Sequence, residues 1–215
     1  MSTYAPAGTP SVRRRVARRT GLGGNGGPSV PGRAPGRGRG RGTLLAVPKP
    51  LDLPFDPIAR AAETWEARFG EPTAMAAVTA IMRVQQILLA ELDALLRPHG
   101  LTFARYEALV LLSFSRDGEL PMRIIGERLM VHPTSVTNTI DRLEHGQLVE
   151  RKPNPRDGRG TLAAITPAGR AVMRRATDDL MQAEFGMSGY SKGQLEDLSG
   201  LLRGLRVAAG DFKDG

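Results

Sequence analysis

Three apolar residues, Val136, Ile140 and Leu143, fall at i, i+4 and i+7 directly behind a Val131-His132-Pro133 break. That spacing predicts a helix with one inward stripe. Pro133 suits its first position, where a missing N–H costs nothing, and Gly146 suits its C′ end. The face left outward is small and polar: Thr134, Ser135, Thr137 and Asn138, with Asp141 one turn on. In front of the break, residues 122–130 predict a short helix that turns Ile124, Ile125 and Leu129 inward. Behind it come two β-prone runs, LVERKP (148–153) and TLAAIT (161–166), joined by NPRDGRG. They predict a hairpin whose tip is too long for a two-residue turn. Helix, break, helix and basic-tipped hairpin, over residues 123–166, limit what the rest of the chain can be.

That order of elements is how a winged helix-turn-helix reads duplex DNA, with one helix in the major groove and the hairpin on the backbone or minor groove beside it. Small polar side chains let the helix approach closely, and free N–H groups at its start can hold a phosphate. Ser135 and Thr137 are therefore assigned to backbone or bases, Asn138 to an adenine, and Thr134 to the same face. On the wing, Arg159 is the minor-groove candidate and Arg156 a phosphate contact or second reader. Asp157 would orient Arg159 or brace the tip. Arg123, Arg128, Arg151 and Lys152 are candidate phosphate contacts. Taken singly, Ser, Thr and Asn at a helix start also serve as caps, and loop arginines are often only solvated charges. The order of elements favours DNA.

The flanks are helical. Asp56 and Pro57 predict the start of a short helix carrying Trp65 and Phe69 four apart. Residues 72–97 repeat Val78, Ile81, Met82, Gln85, Leu88, Leu89, Leu92, Leu95 and Leu96 at helical spacing, and Pro98 and Gly100 end that helix. Thr102 would cap another over 103–114, and Gly118 marks a turn before Glu119. Thr166-Pro167 reads as cap and first position of a helix to about residue 185, and a last helix spans about 191–208 with Leu195, Leu198, Leu202 and Leu205 as its stripe. The fold class is mainly α (α+β). A wing lobe at about 102–167 would lie between helices at about 56–97 and 168–208, inside a domain of 51–208 followed by a short tail, 209–215. Those flanking helices are either ordinary core or the frame of a two-fold dimer that sets two recognition helices about 34–36 Å apart.

Net charge, +8 overall, does not decide the matter. Residues 1–50 carry nine Arg, one Lys and no acid, whereas 51–215 hold 20 basic and 22 acidic side chains. The basicity belongs to a Gly/Pro/Arg-rich tail with too little apolar surface to order itself. That tail could add salt-sensitive phosphate contacts, could favour RNA through its RG repeats, or could be a loose extension or sequence upstream of the true start codon. With no cysteine there is no disulfide or thiol sensor. His99, His132 and His145 are too scattered for zinc, and no cofactor is expected. No catalytic constellation, P-loop or dinucleotide fingerprint appears, so the chain is not read as an enzyme. There is neither an uninterrupted run of 18 apolar residues nor a signal h-region, which places the expected protein in the cytoplasm, on the nucleoid and off the membrane.

Residues 129–151, the Asp157-Gly158-Arg159 wing and 162–169, with the phrases TSVTNTIDRLEHGQLVERKPNPRDGRG and ITPAGR, resemble the MarR family of bacterial transcription regulators over about residues 75–208. The resemblance implies a homodimer on a pseudopalindromic operator, usually a repressor. It implies Ser135, Thr137 and Asn138 on the recognition helix, and Asp157 and Arg159 on the wing. It further implies release from DNA when a small aromatic or acidic compound enters a cleft between the lobes. Met82, His99, Phe103, Arg105 and Tyr106 are the candidate lining. The competing reading is an architectural or RNA-associated protein that works through its Arg/Gly tail and uses the winged domain as an interaction module.

Overall fold

The computed structural model describes residues 51–155 and 160–213. Helix α1 (Pro57–Phe69) opens on Asp56, whose carboxylate accepts the Ile58 N–H at 2.8 Å. The Trp65 and Phe69 rings meet on its face, with centroids 4.9 Å apart. Helix α2 (Thr73–Leu96) runs into a 3₁₀ turn, Arg97–His99, and Gly100 ends it in the left-handed region at φ 71°. Helix α3 (Phe103–Phe114) follows, but Thr102 does not cap it through its side chain. Its hydroxyl instead accepts Arg105 Nε at 3.2 Å, and the Phe103 N–H is taken by Asp93 Oδ1 of α2 at 2.7 Å. A carboxylate from a neighbouring helix satisfies the orphan donor, and it fixes α3 against α2 in doing so.

A strand stands where the sequence suggests only a turn: β1 (Glu119–Pro121). Helices α4 (Met122–Leu129) and α5 (Pro133–His145) come next, then β2 (Val149–Pro153) and β3 (Thr161–Ile165). The sheet is antiparallel, in the order β1-β3-β2, with Leu120 opposite Ala163 and Arg151 opposite the same residue on the other side. Flanked on both edges, β3 buries Leu162, Ala163, Ala164 and Ile165 in succession instead of alternating.

Gly146 ends α5 differently from its expected role. It keeps φ −80°, and Gln147 takes the left-handed C′ position at φ 58°. The Leu148 N–H donates to Leu143 O at 2.9 Å and the Gln147 N–H to Glu144 O at 2.8 Å, the paired bonds of a Schellman turn. Glycine here marks the residue before the turn. Helix α6 (Pro167–Gln182) stops short of residue 185, because Glu184 and Phe185 adopt positive φ in a 3₁₀ turn, Glu184–Gly186. Helix α7 (Lys192–Ala208) starts with a reciprocal capping box between Ser191 and Gln194.

One core joins α3, α4, α5, the sheet, α6 and the C-terminal end of α2. Leu96, Leu109, Leu112, Ile125, Ile140, Leu143, Val149 and Leu180 are its fully buried side chains. Neither α1 nor α7 buries a residue in it. Thr73–His99 is long and apolar enough to cross a membrane by length and composition alone, although polar residues interrupt its apolar run. Arg83 lies within that stretch, and a charged residue near a bilayer centre costs about 2.5–3.5 kcal/mol. Leu92 and Leu96 at its far end belong to the core.

Candidate nucleic-acid interface

The outer face of α5 is built by its inner one. Val136, Ile140 and Leu143 lock into the core, which leaves Thr134, Ser135, Thr137 and Asn138 exposed together. No hydrogen bond engages the side chains of Thr134, Ser135 or Asn138 among the described residues, so their donors and acceptors are available. Thr137 donates its hydroxyl back to Pro133 O at 3.1 Å and keeps its acceptor capacity. The expectation of open N–H groups at the helix start does not hold. His132 Nδ1 accepts the Thr134 N–H at 3.3 Å, and His132 O accepts Ser135 and Val136 at 2.8 and 3.1 Å. Pro133 has no N–H, so the first turn closes on itself and an anion would have to displace a long bond to histidine.

The four candidate phosphate contacts differ in freedom. Arg151 of β2 is the least free: its Nη2 lies 2.5 Å from Asp141 Oδ1, its Nη1 bonds Glu144, and its N–H donates to Glu144 Oε1 at 3.3 Å. Partial burial works against that guanidinium, but the two carboxylates outweigh it and hold its pKa above the ordinary value. Arg151 thus clamps the second half of α5 to the hairpin. Lys152 pairs with Glu150 at 3.0 Å and Glu119 at 3.5 Å, and Arg123 pairs with Glu127. Arg128, exposed at the end of α4, has no ion pair among the described residues. The wing candidates Arg156, Asp157 and Arg159 lie outside the described residues. The hairpin base is closed by Asn154 N–H donating to Gly160 O at 3.0 Å.

Four of the five effector candidates gather where the turn after α2 meets α3 and α6. His99 Nε2 is 2.7 Å from Asp179 Oδ2, and the Tyr106 hydroxyl is 2.9 Å from Thr177 Oγ1. The Phe103 and Tyr106 rings are 6.2 Å apart, and Arg105 donates to Gly100 O at 3.0 Å. These contacts hold the elements together, and Tyr106 is buried. Met82 is separate: it is exposed and precedes Asp93, the capping partner of Phe103, by about 16 Å at 1.5 Å per residue along α2.

The MarR family model matches residues 99–160, the stretch that holds α3, the helix pair and β2. Sco5413, a MarR family transcriptional regulator from Streptomyces coelicolor, is 60% identical, with a TM-score of 0.62 over 66% of this chain and 99% of its own. The chain belongs to the MarR family of winged helix-turn-helix transcriptional regulators. AbsC, also a MarR family regulator from Streptomyces coelicolor, is 27% identical at a TM-score of 0.56, covering 66% of this chain and 95% of its own. The HTH-type transcriptional regulator MhqR of Bacillus subtilis is 29% identical over 115 residues, 53% of this chain and 78% of its own length.

For a MarR-family chain the ITPAG phrase acquires a structural meaning. Thr166 Oγ1 accepts the Gly169 N–H at 2.9 Å and donates to Gln147 O at 2.9 Å, and the Thr166 N–H donates to Leu148 O at 3.1 Å. Pro167 occupies the first position of α6, and Gly169 lies under the Leu148 carbonyl, where a Cβ would come within 2.1 Å of the oxygen. The sequence reading also passed over Arg142. It is exposed on α5 and has no ion pair among the described residues, and it follows Asn138 by four and Ser135 by seven. That spacing puts all three on one face and was the signal available. Replacing Arg151 with alanine is expected to lower stability by about 1 kcal/mol in urea unfolding, since it releases two carboxylates at once. An unchanged midpoint would show that the clamp has no energetic weight.

Proposed function

We propose that this protein is a homodimeric, sequence-specific double-stranded DNA-binding repressor that a small-molecule effector releases from a pseudopalindromic operator. The observation that carries this reading is α5 itself. Its inner face is fixed in the core, and its outer face offers Thr134, Ser135, Thr137, Asn138 and Arg142 with no internal ion pair holding them. Asn138 is suited to a bidentate contact with adenine, Arg142 and Arg128 to phosphates, and the wing residues Arg156, Asp157 and Arg159 to the adjoining groove. Among fold relatives, Sco3205, a MarR family regulator from Streptomyces coelicolor, was solved in complex with DNA. The dimer reading draws on the exposed Val78, Ile81 and Ile87 of α2 and Leu198, Leu201 and Leu205 of α7, apolar surface that the monomer leaves in water.

The effector, aromatic or acidic in character, would act at the His99, Phe103, Arg105 and Tyr106 junction. It would favour a spacing of the lobes unlike the DNA-bound one, lowering operator affinity by its differential affinity for the two states. This assigns the wing lobe to about residues 102–167 and the dimer frame to the helices on either side.

The test is an operator recovered by genome-wide binding and footprinting. Asn138→Ala and Arg159→Ala are each expected to weaken binding by about 1–3 kcal/mol while the fold is kept. Wild-type affinity in both variants would remove the site assignment. Deleting residues 1–50 is expected to preserve operator recognition with a shallower salt dependence; loss of most binding would favour the tail-driven reading.

A further inference from the structure

The helix pair and α3 enclose a cleft of about 70 Å³. Its walls are mostly apolar, with Ile125, Leu129 and Val136 among them, and Glu107 of α3 and Ser135 and Thr139 of α5 are its polar lining residues. Four carboxylates among the described residues are half-buried: Asp93, Glu107, Glu119 and Glu144. Asp93 accepts the Phe103 N–H, Glu119 pairs with Lys152, and Glu144 pairs with Arg151. Glu107 alone of the four has no hydrogen bond or ion pair. A carboxylate in such a place normally finds a donor, because desolvation without a partner penalises its charge; burial accordingly pushes the Glu107 carboxyl up.

We propose that this cleft binds a small organic cation, an ammonium on a short apolar stem, with Glu107 as its counter-charge. The donor count fits. An ammonium carries three donors and no acceptor, and the lining residues include Glu107 and the hydroxyl-bearing Ser135 and Thr139, whose side chains have no hydrogen-bond partner among the described residues. The lining contains no cation to receive an anion, and a neutral apolar guest would strip water from Glu107 without replacing it. The space also fits, since one water needs only about 10–15 Å³ of such cavity space, so the cleft has room for several heavy atoms. The consequence falls on α5. A Cβ at Gly126 of α4 would lie 3.2 Å from Val136 Cγ2, so the two helices already touch beside the cleft. A guest that fills it therefore fixes the spacing of α4 and α5 and occupies the inner side of Ser135. Binding itself does not depend on the DNA reading, whereas its effect on operator affinity does.

The experiment titrates n-butylammonium chloride into the full chain by calorimetry at constant ionic strength, with n-butanol as the neutral counterpart. Wild type is expected to show saturable binding of one cation per chain. Glu107→Gln, which keeps shape and removes charge, is expected to weaken it at least about tenfold. Ala104→Leu, which narrows the rim from an exposed position and keeps the carboxylate, is expected to weaken it as well. Equal binding of butanol, equal binding by Glu107→Gln, or no saturable heat would each overturn the site. In a parallel operator titration, the cation is expected to lower affinity for wild type and not for Glu107→Gln. Saturation of the cleft with no change in operator affinity would overturn the coupling and leave the site standing.

Discussion

Gly169→Ala is expected to destabilise the protein by about 2–3 kcal/mol, the upper part of the range for inserting a methyl group into a packed site. For a chain of this size that is a fall of roughly 4–12 °C in melting temperature. The cause is a single contact. The added Cβ would sit 2.1 Å from Leu148 O and 3.0 Å from Ile165 Cγ1, and the first of these is backbone, which no side-chain rotation relieves. Relief requires α6 to lift from the Gln147–Leu148 turn, which would stretch the bonds from Thr166 Oγ1 to Gln147 O and from the Thr166 N–H to Leu148 O. Alanine is otherwise the better helix former, by about 1 kcal/mol over glycine, so helix propensity and packing pull in opposite directions. A melting temperature at or above wild type in differential scanning calorimetry would show that the helix shifts without penalty.

A second large effect is expected at α7. No residue of this helix is buried in the monomer, and Leu198, Leu201 and Leu205 are 42%, 74% and 58% exposed. If these leucines meet a second copy, Leu198→Glu with Leu205→Glu places carboxylates in that interface, each costing several kcal/mol to desolvate. The double variant is expected to be monomeric in light scattering. Its operator affinity is expected to fall more than about a hundredfold, because one half-site remains where two were bound. Its circular dichroism should be unchanged, since neither leucine supports the core. A dimer that persists would move the interface away from α7.

What the sequence made legible was local. The α5 stripe and the Asp56 and Thr166 caps act within four residues of themselves, and periodicity or cap chemistry exposes them. Strand β1 escaped because three residues are too few for an alternation, and its pairing partner lies more than forty positions on, from Glu119 to Ala164. Thr102 looked like a cap because its real competitor, Asp93, comes from another helix. Arg151 was read by its charge alone, whereas Asp141 and Glu144, ten and seven residues earlier, have already claimed it. Met82 shares apolar character with the residues near His99 but is displaced from them along α2. The converse holds for Arg142, whose place on the face of Asn138 follows from a spacing of four along the helix.

Thr166 has a mechanical consequence. Its one hydroxyl receives from the first turn of α6 and gives to the carbonyl of Gln147, the residue that closes α5. Helix α5, with 13 residues, is a rod about 20 Å long at 1.5 Å per residue. Displacing its closing end by about 1 Å while the other end stays in place tips such a rod by roughly 3°, from that same helix geometry. Helix α6 is in this way geared to the aim of the helix proposed to enter the groove, through two hydrogen bonds that share an oxygen.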